Sequence, residues 1–454
     1  MQLGVGGSEA VGHSVAVADT LAIGLGIVTA FAGDLHDRHT DRVPVDRSAD
    51  ECAMSDGMKF PYFQKGMILL SSLGQQGIPG ADATSEGVMV RPIGVGIVGC
   101  GDIARLRYVP AVARSKDLAL HAVFSRTARS AQALAVSQAA TPYSDFDAMM
   151  ADPRIDALII ASPHPTHADY AVRSLGAGKH VLIEKPVATS CTDMKRLKTA
   201  ADASAAVAMA LPLDWTAAAS EAARLVEDGA IGMVSSVDCV FCHEGPVHAP
   251  WFFDRREAEW GVLADLGVYA VSLLTRLLGP VSAVSGRVET TARRRTMKNG
   301  QAIDVTVDDN VTALLTWPNS TLGTVRCNWC TAIAKSDSMF EARLYGSEGI
   351  IFLKPMSLTE PLIVYSPNRE IRSGRPVHHD GLLSCYEIPV AVQNLDDQIL
   401  SEFAASIRGT GPRSGRAASV EHQQHVVAVI DAIYRSSASG QSQILHTDPT
   451  GAIP

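Results

Sequence analysis

The sequence lacks three features that would direct the chain to nucleic acid, to a membrane or to secretion. Its 454 residues carry a formal net charge of -9 at pH 7, so no positive excess favours nucleic acid or an anionic membrane as a partner. The stretch nearest to a membrane span, 15–32, is interrupted by Asp19 and several glycines. No Lys or Arg precedes Arg38, so the charged start of a secretory signal is missing. We therefore expect a cytoplasmic protein with neither a nucleic-acid nor a membrane partner.

A convincing metal-site pattern is also lacking among the eight cysteines, whose number suits a reducing compartment. Two pairs have C-x-x-C spacing, Cys239/Cys242 and Cys327/Cys330, and one interpretation of them is a zinc site. Both pairs lie in strand-like runs, and the pairs are further apart than those of a zinc ribbon. We favour buried apolar cysteines over the zinc site and predict no metal.

Residues 1–90 lack any sustained periodicity typical of a helix or a strand. We expect this stretch to be an extension that is either disordered or not part of the native protein, with a native start at or near Met89 as one hypothesis. A small ordering arm is the alternative. The remaining chain is predicted to form a dinucleotide-binding domain over 91–211 and a second domain over 212–445.

A glycine-rich turn follows the first clear apolar strand of the chain. The run Gly99-Cys100-Gly101-Asp102-Ile103-Ala104 has the pattern G-x-G-x-x-A between a strand and a helix. Gly99 permits the tight turn, and Gly101 has no Cβ, so a pyrophosphate can approach the backbone. The free N–H groups at the helix start, including those of Asp102 and Ile103, then face the phosphates. This context predicts a dinucleotide site.

The spacing of apolar runs predicts the fold class. Alternating strands and helices between 91 and 211 indicate a Rossmann-type, doubly wound parallel sheet. After 212 the chain has mostly strand-like runs, which indicates an α+β domain on a mostly antiparallel sheet. The predicted strands are 93–98, 118–124, 156–161, 180–183 and 206–211 in the first domain, and 234–241, 281–288, 311–317, 322–329, 339–345 and 349–353 in the second.

The end of the second strand indicates which cofactor is preferred. An NAD site usually has an acid there that holds the ribose hydroxyls, but this chain has Ser125-Arg126-Thr127. Arg126 can bind a 2′-phosphate with two hydrogen bonds, and the hydroxyls of Ser125 and Thr127 add donors. The alternative is a solvated loop arginine. We predict NADP(H) over NAD(H).

Three further stretches resemble the glucose-fructose oxidoreductase/inositol dehydrogenase (Gfo/Idh/MocA) family. They are A-S-P-H-P-T-H at 161–167, G-K-H-V-L-I-E-K-P at 178–186 and D-L-G-V-Y at 265–269. The resemblance covers about 91–445 and does not include 1–90. The sequence departs from the family pattern in three places. His164 stands where the family usually has Asn, and 260–262 stands where a glycine cluster is common. The arginine that the family commonly has after the last Rossmann strand is absent from 211–215.

The resemblance implies an open-faced second sheet, a dimer or tetramer, and a sugar or polyol substrate. The tyrosine in the third stretch makes the chain similar to the branch of dimeric dihydrodiol and xylose dehydrogenases. With the two motifs already described, the cofactor-binding residues are predicted to be Gly99, Gly101, Asp102, Ile103, Ser125, Arg126, Thr127, Ser162, His164, His167, Glu184 and Lys185.

Lys185, Asp265 and Tyr269 are the predicted catalytic residues. Hydride transfer at a carbinol carbon needs an acid/base on its oxygen and a charge nearby. Lys185 follows a strand at the edge where ligands bind, and Asp265 and Tyr269 share a helix face. We expect the Lys185 ammonium to favour the Tyr269 phenolate and Asp265 to orient the substrate hydroxyls.

Two classes of function remain open on this basis. One is an NADP(H)-dependent dehydrogenase or reductase that acts on a sugar, cyclitol, or related polyol or diol. The other is a non-catalytic dinucleotide sensor on the same fold. Lys185 together with Tyr269 favours the enzyme.

Overall fold

The computed structural model describes residues 91–212, 216–332, 339–357, 361–367, 371, 374–380, 382–390, 394–410 and 419–446. The predicted extension 1–90 and its start near Met89 lie outside the described residues. So do positions 213–215 of the stretch that lacks the family's arginine.

A parallel sheet forms the first half of the described chain. Its six described strands have the order β3-β2-β1-β4-β5-β6, and every pair is parallel. Every residue of β1 and β4 is buried, as expected for strands covered by helices on both faces. The order reverses between β1 and β4, which opens a crevice at the carboxyl ends. The predicted doubly wound sheet is confirmed. Its strands are β1 (Ile93–Val98), β2 (Leu118–Phe124), β3 (Thr141–Tyr143), β4 (Ala157–Ile160), β5 (His180–Ile183) and β6 (Ala208–Ala210).

Helices cover both sheets, and two of them follow a π-helical segment. These segments are Ala104–Tyr108, after the glycine-rich turn, and Leu263–Gly267, which contains Asp265. π-Helical turns often occur at functional sites. The helices are α1 (Val109–Arg114), α2 (Ala128–Val136), α3 (Phe146–Met150), α4 (His167–Gly176), α5 (Cys191–Ala203), α6 (Ala217–Glu227), α7 (Arg255–Ala258), α8 (Val268–Leu278), α9 (Leu395–Arg408) and α10 (Val420–Ser439).

A second sheet follows, with ten strands among the described residues. Their order is β16-β17-β15-β14-β13-β7-β12-β11-β8-β18, and β9 and β10 form a separate hairpin. All described pairs are antiparallel except β7 with β12. The predicted mostly antiparallel sheet is confirmed. The strands are β7 (Val234–Cys242), β8 (Ala283–Glu289), β9 (Arg294–Thr296), β10 (Ala302–Asp304), β11 (Asn310–Thr316), β12 (Leu322–Asn328), β13 (Phe340–Gly346), β14 (Ile350–Leu353), β15 (Leu362–Ser366), β16 (Arg375–Asp380), β17 (Leu383–Glu387) and β18 (Gln443–Ile444).

The second sheet has one buried and one exposed face. In β11, Val311, Ala313 and Leu315 are buried, whereas Leu314 between them is exposed. This alternation is the period of two expected when helices cover only one face of a sheet. Leu322 of the neighbouring β12 is also exposed.

The cysteine pairs and one apolar helical stretch can be placed in this fold. Cys239 and Cys242 belong to β7, Cys327 belongs to β12, and Cys330 follows that strand. Within the part of the chain that the structure describes, 255–278 is the one helical stretch long and apolar enough to cross a membrane. Most of its apolar window is buried inside the protein, as in the core helix of a globular fold.

Several short or late elements were not predicted. β3 and α3 are only three and five residues long, too short to show a period, and β15 to β17 and α9 lie beyond the last predicted strand. β3 is half-buried at the edge of its sheet, so its sequence carries little of the alternation that marks a strand. α9 contacts the first domain, because Asp396 in its first turn forms an ion pair with Arg107.

Candidate active site

The glycine-rich turn lies where β1 ends, beside the crevice between β1 and β4. Gly99 has φ +105°, and a Cβ there would lie 2.4 Å from the carbonyl oxygen of Ala161, so only glycine fits. A Cβ on Gly101 would have no atom of the described residues within 4 Å. The backbone at Gly101 is therefore bare, and its surroundings fit a pyrophosphate at this turn.

Asp102 and Ile103 begin the helix after the turn. The Asp102 carboxylate forms an ion pair with Arg105, one turn further along. Ile103 is 40% exposed, which is unusual for isoleucine. Both residues follow the turn at the carboxyl end of β1, and their predicted contact with a cofactor stays a prediction.

Ser125, Arg126 and Thr127 lie at the carboxyl end of β2, on the same edge of the sheet as Gly101. The Ser125 hydroxyl accepts a hydrogen bond from the Thr127 backbone N–H at 3.3 Å. Arg126 is exposed, and its guanidinium forms no hydrogen bond or ion pair with the described residues. The guanidinium is therefore available to a negatively charged ligand.

His167 connects the turns that follow β4 and β5. Its Nδ1 lies 2.7 Å from the carbonyl oxygen of Pro186, and its Nε2 lies 2.6 Å from that of Ser162. The Ser162 hydroxyl lies 2.7 Å from that of Thr166. Because both ring nitrogens of His167 have partners inside the protein, we expect it to brace the two turns rather than to contact a cofactor directly.

His164 has a different environment, although it lies only three residues away. Its ring is buried and meets the rings of Trp251 and Phe252 edge-on at 4.9 and 5.1 Å. Its Nδ1 is buried and has no hydrogen-bond partner among the described residues. Burial and the nearby Lys185 ammonium hold the pKa of His164 well below its ordinary value, so the ring is neutral.

Lys185 and Asp265 form a close ion pair between the two domains. Lys185 Nζ donates to Asp265 Oδ1 at 2.6 Å and to the Asp265 backbone carbonyl at 3.2 Å, and each side chain is 13% exposed. Burial alone lowers the pKa of the Lys185 ammonium, but the Asp265 carboxylate outweighs burial and raises it above its ordinary value. Lys185 is therefore a fixed cation at neutral pH. The Asp265 carboxylate is thus bonded to Lys185, and its predicted role of orienting substrate hydroxyls stays a prediction.

Tyr269 lies against the same ammonium, but through its ring. Lys185 Nζ is 5.2 Å from the ring centroid, within the range of a cation–π contact. Burial raises the pKa of Tyr269, and the opposing effect of Lys185 is smaller. The Lys185 ammonium does favour the phenolate, as predicted, but burial outweighs it, so Tyr269 is a neutral phenol at neutral pH.

Glu184, the residue before Lys185, is buried and bonded within the protein. Its Oε1 accepts from the Tyr108 hydroxyl at 2.9 Å, and its Oε2 accepts from the backbone N–H of Lys185 at 2.9 Å. Glu184 is thus engaged in positioning its neighbour, and a direct contact with a cofactor stays a prediction.

Two residues of this cluster were missed in the sequence. Trp329 Nε1 donates to Asp265 Oδ2 at 3.2 Å, and His243 Nε2 lies 3.9 Å from the same oxygen. His243 Nδ1 accepts from the Gly245 backbone N–H at 2.8 Å, so the proton of the neutral ring is on Nε2 and faces the site. Burial lowers the pKa of His243, which keeps the ring neutral. His243 directly follows β7, and Trp329 directly follows β12. Their position at the end of a strand was the one feature of the sequence that could have indicated a site residue.

Family models match both halves of the described chain. A model for an oxidoreductase family with an NAD-binding Rossmann fold, named GFO_IDH_MocA, matches residues 93–211. A model for the GFO/IDH/MocA C-terminal domain matches residues 219–352. Together the two matches span more than half of the chain.

Curated relatives and solved structures are also similar to this chain. The dTDP-3,4-didehydro-2,6-dideoxy-alpha-D-glucose 3-reductase of Streptomyces violaceoruber is 36% identical over 200 residues, which are 44% of this chain and 58% of that protein. The trans-1,2-dihydrobenzene-1,2-diol dehydrogenase of Homo sapiens is 27% identical over 237 residues, which are 50% of this chain and 64% of that protein. The matches thus span less than two thirds of these relatives. A structure of levoglucosan dehydrogenase in complex with NADH has a TM-score of 0.67 at 21% identity, over 78% of this chain and 99% of that chain, and shows the shared fold.

Proposed function

Because this chain belongs to the Gfo/Idh/MocA family of oxidoreductases, we propose that it transfers a hydride between NADP(H) and a sugar, cyclitol, or related polyol or diol. The observation that carries the proposal is the cluster of Lys185, Asp265 and Tyr269 at the carboxyl edge of the sheet. When bound, the nicotinamide supplies or accepts the hydride.

In this proposal the residues of the cluster divide the chemistry. Tyr269 exchanges the proton of the reacting oxygen, because a neutral phenol can donate to a carbonyl that is being reduced. The fixed Lys185 cation stabilises negative charge on that oxygen. Asp265 holds Lys185 in place, and the Nε2–H of His243 is available to orient a second substrate hydroxyl.

The substrate panel that tests the proposal uses aldoses, inositols and trans-dihydrodiols with NADP⁺. We expect the absorbance of the reduced nicotinamide to rise with at least one of them. A dinucleotide-binding sensor is the alternative, and it has no need for a cation, a carboxylate and a phenol beside the cofactor. NADPH binding without turnover of any polyol in the panel would favour that sensor.

The preference for NADP(H) rests on Arg126. Arg126→Ala is expected to weaken NADPH binding by roughly 10- to 100-fold. This range corresponds to the loss of about 1.5–3 kcal/mol, the typical contribution of a hydrogen bond to a charged group. NADH affinity should be nearly unchanged, because NADH has no 2′-phosphate. Fluorescence titration with both cofactors measures the difference, and the exposed Arg129 of α2 offers a matched control as Arg129→Ala. An equal loss for both cofactors would rule out the assignment.

The proposal also covers the setting of the enzyme. It is cytoplasmic, acts on a small molecule, and forms a homo-oligomer through the exposed face of the second sheet. Exposed Leu314 and Leu322 on adjacent strands of that face support the oligomer.

A further inference from the structure

Arg107 is buried between two carboxylates that belong to different parts of the fold. Its side chain is 17% exposed, and those of Glu184 and Asp396 are 5% and 12% exposed. Nη1 lies 3.2 Å from Glu184 Oε1, and Nε and Nη2 donate to Asp396 Oδ1 at 2.9 and 2.7 Å. One planar guanidinium therefore joins the turn after β5 to the first turn of α9.

Glu184 transmits this contact to Lys185. Its Oε1 also accepts from the Tyr108 hydroxyl, and its Oε2 accepts from the backbone N–H of Lys185 at 2.9 Å. A carboxylate with both oxygens bonded has one orientation, so the backbone of Lys185 is fixed relative to Arg107. Because Arg107 and Tyr108 belong to the π-helical segment after Gly101, the same contacts join the glycine-rich turn to Lys185.

The charges of this network also affect the active site. Burial alone lowers the pKa of the Arg107 guanidinium, but Glu184 and Asp396 outweigh burial and raise it, so Arg107 stays charged. The Glu184 carboxylate raises the pKa of Tyr269, and the Arg107 guanidinium lowers it. Arg107 thus acts with Lys185 against the effect of the Glu184 carboxylate on the acid/base group.

We propose that Arg107 is a positioning residue that holds Glu184, and through it the backbone from which Lys185 reaches Asp265. Asp396 of α9 orients Arg107. The inference rests on the proposed role of Lys185 in hydride transfer. It makes α9, far along the chain, part of the support of the active site.

The chain offers a matched control beside Asp396. Asp397 is the next residue of α9, and its carboxylate pairs with Arg114 at 2.6 Å on the surface, where the two side chains are 41% and 43% exposed. Both carboxylates lie in the same helix turn, which the Asn394 side chain caps, so they contribute similarly to the helix itself. Only Asp396 reaches Arg107.

The first test compares Asp396→Asn with Asp397→Asn on the polyol identified in the substrate panel. Asp396→Asn is expected to lower kcat by roughly 10- to 100-fold, the order of loss for a small misplacement of a reacting group, with NADPH affinity unchanged. Asp397→Asn should leave both unchanged. Arg107→Lys keeps the charge without the planar fork, so it should retain more of the rate than Arg107→Met. Equal kcat in the two aspartate variants overturns the positioning role.

A second readout does not depend on turnover. Acetylation of Lys185 by acetic anhydride, followed by mass spectrometry, reports how firmly the ammonium is held. Asp396→Asn and Arg107→Lys should speed Lys185 acetylation relative to that of Lys179, whereas Asp397→Asn should not. Equal acetylation in every variant overturns the proposal. The same contrast in a protein that turns over no polyol would uphold the positioning of Lys185 and contradict the proposed function instead.

Discussion

Replacing Lys185 by methionine is expected to lower turnover by roughly 10²–10⁴-fold, the range for groups that assist proton transfer. The substitution removes the cation that stabilises charge on the reacting oxygen. Cofactor affinity should change little, because the glycine-rich turn and Arg126 lie elsewhere on the sheet edge. Steady-state kinetics and NADPH titration of the same preparation measure both effects.

The loss must be separated from loss of the fold. Lys185→Met leaves the Asp265 carboxylate partly buried without its cation, and breaking a buried pair costs on the order of 3–5 kcal/mol. The double variant Lys185→Met with Asp265→Asn removes both charges and should fold better while staying inactive. Lys179→Met is the control, since Lys179 Nζ bonds the Ile155 carbonyl at 2.7 Å outside the site. Near wild-type turnover in Lys185→Met would show that Lys185 is structural.

Tyr269→Phe is the second substitution with a large expected effect. The Tyr269 hydroxyl forms no hydrogen bond with the residues that the structure describes, so its removal should barely change the melting temperature. Turnover should fall by roughly 10²–10⁴-fold, because the proton then has no carrier at that position. Tyr269→His should recover part of the rate.

The rates of oxidation and reduction are expected to change in opposite directions with pH if Tyr269 carries the proton. Oxidation of an alcohol needs the phenolate of Tyr269, so its rate should rise as the pH approaches the raised pKa of Tyr269. Reduction needs the neutral phenol, so its rate should fall over the same alkaline range. In Tyr269→His the rise of oxidation should move to lower pH, toward the ordinary histidine pKa near 6.5. If Phe and His variants are equally active, Tyr269 is a packing residue.

The strands of the first domain could be predicted from the sequence because short apolar runs and the residues that end them mark each strand locally. β1, β2 and β5 match the predicted ranges, since apolar runs end at glycine or at polar turn residues. The position of Lys185 at the sheet edge followed from the parallel topology alone.

Apart from the placement of Tyr269 beside Lys185, the contacts inside the candidate site could not be predicted, because they join residues far apart in the chain. Nothing in the spacing indicates that Trp329 and His243 meet Asp265, since that depends on the parallel pairing of β7 with β12. Arg107 and Asp396 are likewise 289 residues apart. The direction of the Tyr269 pKa shift was mispredicted because it depends mainly on burial, which one sequence does not show.

Tracing deuterium from the carbinol carbon tests the central claim most directly. A polyol from the substrate panel, deuterated at the reacting carbon, is incubated with the enzyme and NADP⁺, and the reduced cofactor is examined by mass spectrometry. The account predicts that one deuterium appears in NADPH, at a rate that falls with Lys185→Met and Tyr269→Phe. NADPH that forms without deuterium, or deuterium that remains in the polyol while the cofactor binds, would contradict hydride transfer at this site.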